Sequence, residues 1–60
     1  MFEITRCDPE TGYILVEDKD FGLAFEFNEP ELQEATIVDD YDLHITNKDG
    51  SKKILPILTR

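Results

Sequence analysis

Turn-forming residues recur so often in this chain that no stretch is left for an amphipathic helix of ordinary length. Asp8-Pro9 with Gly12, Asp18–Asp20 and Asn47–Gly50 are turn clusters, and Asn28–Pro30 interrupts the pattern, so the chain is cut into short runs. Pro presets φ, Gly supplies positive φ, and Asn or Asp folds its side chain back on the backbone, so each cluster marks a reversal. Several of the runs between them alternate with period two, which is the signature of strands. Phe21, Leu23, Phe25 and Phe27 share one side of the 21–27 run, with Gly22, Ala24 and Glu26 on the other. Tyr41, Leu43 and Ile45 point one way in the 41–47 run, and Asp42, His44 and Thr46 the other. These two runs are expected to supply most of the core.

The remaining runs complete an all-β reading. Phe2, Ile4 and Arg6 alternate with Glu3, Thr5 and Cys7, and Tyr13–Glu17 is rich in β-formers on both faces. Thr36–Asp40 is read as a strand. Asp49-Gly50 is a strong hairpin pair, with 52–59 as the return strand. Pro56 cannot donate to a ladder, so that strand belongs at an edge or a bulge. Residues 28–35 break the pattern. Asn28 suits a cap, Pro30 a first helical turn, and Glu31 completes a capping box, so one short helical turn with Leu32 buried is expected near 29–35. Five or six strands with that one turn point to a small SH3-like or OB-like barrel, or a curved antiparallel sheet. No internal repeat, low-complexity tract or linker is expected, and residues 1–60 are read as one domain.

Size and charge then limit function. A 60-residue chain buries only about 60% of its unfolded surface, so its core is thin. The single cysteine, Cys7, excludes an intramolecular disulfide and fits a reducing compartment. No apolar run reaches the roughly 18 residues of a membrane span, and no leader pattern is visible. A cytoplasmic protein starting at its own Met1 is therefore expected. The net charge is −8, and residues 43–60 hold only one of the 14 acids against Lys48, Lys52, Lys53 and Arg60.

Catalytic and metal chemistry find little support in these residues. Zinc needs four Cys or His ligands, against Cys7 and His44 alone. Asp18, Asp20 and Gly22 open like an oxygen-ligand loop, but the later ligand positions fall in the 21–27 strand, so a calcium domain is a lesser alternative. A Cys7–His44 pair has no reason to meet, and paired carboxylates lack a cleft. No enzyme activity and no cofactor are expected.

Residues 11–27 resemble the glycine–aromatic strands of cold-shock-type barrels. The base-stacking face of such a barrel would be basic, whereas Glu17, Asp18, Asp20 and Glu26 face a lone Lys19 here, so membership is not inferred. A nucleic-acid or ribonucleoprotein binder would have to use Lys48, Lys52, Lys53 and Arg60, and these lysines are more simply read as protecting a strand edge. The reading that best fits the charge is a small acidic interaction module, an accessory or regulatory factor that docks on a basic protein surface. Its sharper form is a nucleic-acid mimic. The expected contact residues are Glu29, Glu31, Glu34, Asp39, Asp40 and Asp42, with Lys48, Lys52 and Lys53 as a second region. A homodimer through free strand edges is a further option.

Overall fold

The computed structural model describes residues 1–58. It contains six strands: β1 (Glu3–Asp8), β2 (Tyr13–Asp18), β3 (Leu23–Asn28), β4 (Leu32–Val38), β5 (Asp42–Asn47) and β6 (Lys52–Pro56). They form two antiparallel three-stranded meanders, β1-β2-β3 and β4-β5-β6. No ladder joins the two sheets among the described residues, so the expected closed barrel is replaced by two sheets sharing one core. Residues 59–60, including the end of the expected last strand and the candidate base Arg60, lie outside the described residues.

The core is built by alternation on the two central strands. Ile14 and Val16 of β2 and Leu43 and Ile45 of β5 are essentially sealed, and Phe2, Leu32 and Ile57 join them. Ile4, Phe25, Phe27, Ala35, Ile37 and Leu55 pack around this cluster. The register explains which side chains share it. Phe27 and Phe25 stand opposite Ile14 and Val16 on one sheet, while Ile37 and Leu55 flank Leu43 on the other. Burying each such aliphatic side chain contributes about 1.5–3 kcal/mol. The Phe2 and Phe25 rings meet at 5.9 Å in a tilted pair, within the range that aromatic edges and faces favour.

Two expectations about the aromatics need correction. Phe21 is 77% exposed because it lies in the β2–β3 turn before the strand starts, and Leu23 is partly exposed. Tyr41 is also exposed, since it belongs to the β4–β5 turn and not to β5.

The expected helical turn near 29–35 is also absent. Residues 29–31 form a turn closed by the Leu32 amide donating to the Glu29 carbonyl at 3.0 Å, and β4 begins at Leu32. The cap-like residues are real turn formers, but too few residues follow to repay helix nucleation. Strand pairing wins instead, because Leu32, Ala35 and Ile37 then face the core opposite Asn47, Ile45 and Leu43. Gln33 is the extra residue at the register shift, a bulge that concealed the alternation.

The two meanders repeat one design, contrary to the expectation of no repeat. Ile14, Val16, Asp18, Lys19 and Asp20 recur at identical spacing as Leu43, Ile45, Asn47, Lys48 and Asp49. Each first strand carries one bulge, at Thr5 and at Gln33. In each unit the first turn accepts a bond from the end of the third strand. Gly12 O accepts from Glu29 N, and Tyr41 O accepts from Ile57 N, both at 2.8 Å.

The junction between the units is tight at Gly12. Its φ is +81°, and an added Cβ would lie 2.2 Å from the Glu29 carbonyl oxygen. Gly50, at φ +86°, faces open space. Gly50→Ala is therefore expected to cost about 1–2 kcal/mol from the left-handed conformation alone. Gly12→Ala is expected to cost at least about 2 kcal/mol more, through displacement of the linker. Urea unfolding of both variants checks this, and equal losses would contradict it.

Candidate interaction surfaces

The expected contact residues fall into three separate environments. Glu29 is buried in the linker and forms an ion pair with Lys53. Its Oε1 meets the Lys53 ammonium and has no other partner among the described residues. Lys53 stands opposite Ile45 on the inner side of the second sheet, which is why its stem reaches toward the linker. The pair bridges the linker and the second sheet, with Glu29 buried and Lys53 still partly exposed.

Glu31 is exposed in the linker, and Glu34 is exposed on β4. Asp39 and Asp40 occupy the β4–β5 turn with φ of 56° and 64°. Asp42 is half-buried at the start of β5, opposite Val38 and Pro56. The acids thus form two groups at opposite ends of β4, about 20 Å apart at the usual strand rise. None of Glu31, Glu34, Asp39, Asp40 and Asp42 has a salt-bridge partner among the described residues.

Between the two groups lies the outer face of β4-β5-β6. The register sets Glu34, Thr46 and Lys52 in one row, Thr36, His44 and Ile54 in the next, and Val38, Asp42 and Pro56 in the third. His44 is half-buried at the middle of this face. Lys48 is exposed in the β5–β6 turn, and its amide donates to the Glu31 carbonyl at 2.7 Å. In the same turn Asp49 accepts from the Ser51 hydroxyl at 2.6 Å and the Ser51 amide at 2.9 Å. The hydroxyl bond first, and the amide bond second, hold the Asp49 carboxyl below its ordinary value of 3.8. The carboxylate is therefore the better-bound form in the folded chain. Its contribution to stability is present above about 3.8 and is lost as pH falls through the lower folded value.

A second acidic face went unselected in the sequence. The outer side of β1-β2-β3 carries Glu3 opposite Glu17, Arg6 beside Leu15 and Glu26, and Asp8 opposite Tyr13. Outward alternation of Tyr13, Leu15 and Glu17 was the available signal, masked because the strand reads as apolar on both faces. Several of these acids are engaged locally. Glu17 accepts from Thr5 Oγ1 at 2.7 Å, Glu3 lies 3.6 Å from Lys19, and Glu26 accepts from the Tyr13 hydroxyl at 2.7 Å. That bond to a carboxylate favours the protonated phenol and raises Tyr13 above 10.0. The Arg6 guanidinium sits 5.6 Å from the Tyr13 ring centre, a cation–π distance.

Catalytic and metal groupings are sparse. Cys7 is exposed on β1, in the other sheet from His44, and no hydrogen bond joins them among the described residues. Asp18 is buried; its Oδ1 accepts from the Asp20 amide at 3.0 Å and its Oδ2 lies 3.2 Å from the Met1 ammonium. It acts there as the cap of a turn. No group of three or more His, Cys, Asp or Glu side chains is placed to hold a metal among the described residues. No described helix is long and apolar enough to cross a membrane. No family model, no curated protein and no solved structure matches this chain.

Two measurements test this geometry. Lys53→Met leaves the Glu29 carboxylate buried without its counter-charge. Because Lys53 is nearly half exposed, the expected loss is about 1–3 kcal/mol, below that of a fully buried pair. The double variant Glu29→Gln/Lys53→Met should recover part of it, and Lys52→Met should stay within about 0.5 kcal/mol of the parent. For Tyr13, an ultraviolet titration of the phenolate should show its pKa falling toward 10.0 in Glu26→Ala. An unchanged titration would remove the hydrogen bond as the cause.

Proposed function

We propose that this chain is a small acidic interaction module that docks on a basic protein surface. The observation that carries this reading is the set of uncompensated acids around β4. Glu31 and Glu34 at one end, and Asp39, Asp40 and Asp42 at the other, have no salt-bridge partner among the described residues. Uncompensated charge of one sign costs stability through self-repulsion and speeds encounter with the opposite sign. Asp39 and Asp40 add to that cost. Both hold positive φ, where Gly or Asn would be less strained.

The two-ended arrangement favours a partner that presents two basic patches about 20 Å apart. The nucleic-acid mimic is the special case in which those patches belong to a phosphate-binding groove. Lys48 and Lys52 lie on the β5–β6 hairpin beside Glu31 and Glu34, so that end carries both signs and would meet acids of the partner as well as bases.

Affinity capture from the native lysate tests the reading, with the triple variant Glu31→Lys/Glu34→Lys/Asp40→Lys run in parallel. Basic proteins should be retained by the parent and lost by the variant. Retention should fall as salt shortens the screening length from about 10 Å at 0.1 M to about 3 Å at 1 M. Equal capture by parent and variant would overturn the proposal.

A further inference from the structure

The described residues form four edge strands, and three of them are defended. β1 and β4 lie against each other and each carries a bulge, at Thr5 and Gln33. β6 carries Lys52, Lys53 and Pro56, residues that discourage pairing. The fourth edge, β3, reads Leu23-Ala24-Phe25-Glu26-Phe27-Asn28, with no Pro, no Lys and an unbroken register to β2. Among the described elements it packs substantially only against β2. Its inward side chains are incompletely covered, since Leu23 is 39% exposed and Phe25 and Phe27 are only half-buried.

We infer that β3 pairs antiparallel with β3 of a second copy of this chain, joining two three-stranded sheets into one six-stranded sheet. The sequence of β3 is complementary to itself in one register. With Phe25 on the two-fold axis, Leu23 stands opposite Phe27 of the second copy, and the inner face continues across the junction. On the outer face Ala24 stands opposite Glu26 of the second copy, so no like charges face each other. Shifting the axis to Glu26 would set two carboxylates directly opposite, which is unfavourable. A ladder of one such strand is a small interface, under about 1,200 Å². Interfaces of that class are weak and transient, so the dimer is sought at about 10 µM to about 1 mM. Each copy also carries a charge of −8, so salt strengthens the pairing by screening repulsion. Docking on a basic partner has the opposite salt dependence, which keeps the two proposals separable.

Sedimentation equilibrium of the full chain, from about 10 µM to about 1 mM, tests the inference together with two variants at the exposed Ala24. The parent should dimerise increasingly as salt rises. Ala24→Lys places an ammonium opposite Glu26 of the second copy and should tighten the dimer severalfold. Ala24→Glu places a carboxylate there and should weaken it about as much. Leu23→Lys, an inward charge at the edge, should weaken it about tenfold or more. Circular dichroism confirms that each variant keeps its strands. A chain that stays monomeric at every concentration and salt overturns the inference, as does a dimer indifferent to the sign of the charge at position 24.

Discussion

The arrangement of the two sheets depends on the linker between them, and the linker depends on Glu29. Its amide donates to Gly12, its carbonyl accepts from Leu32, and its carboxylate meets Lys53 of the second sheet. One residue thus fixes the end of β3, the start of β4 and the approach of β6. The close contact is possible only because position 12 has no side chain. A buried ion pair is a weak source of net stability, since desolvation offsets most of the attraction. Its effect here is geometric: the charge pair sets where the second meander sits relative to the first.

Around that junction the chain uses one motif twice. Two buried aliphatic residues two apart on the central strand are followed by an Asp or Asn and a Lys-Asp turn, in both β2 and β5. The two units diverge at the end of the central strand. Asp18 is buried and charge-paired, whereas its counterpart Asn47 has a buried Oδ1 without a hydrogen-bond partner among the described residues. The edges diverge as well, and this matters for association. Lysine and proline guard β6, while its counterpart β3 has neither.

Much of the fold was legible. Period-two alternation placed Leu43 and Ile45 correctly, and Asn47–Gly50 marked the last hairpin. The misreadings have physical causes. A bulge at Gln33 broke the alternation of β4, so Asn28, Pro30 and Glu31 read as a helix start when they form a turn. Phe21 and Tyr41 matched the parity of their runs but fall in turns, where parity no longer selects a face. The candidate site was less legible, because charge alone does not report pairing. Glu29 and Glu31 look alike in sequence, yet one is sealed against Lys53 and the other is exposed. Only the long-range register that turns Lys53 inward separates them.

One core shared by both sheets implies one cooperative unit, even though no ladder crosses between them among the described residues. Native-state amide hydrogen exchange measures this directly. If Glu29 and the buried cluster bind the meanders together, the slowest amides of β2 and β5 should exchange with the same opening free energy, equal to that of global unfolding. If β4-β5-β6 opens at a distinctly lower free energy than β1-β2-β3, the sheets are independent and the junction does not govern the fold.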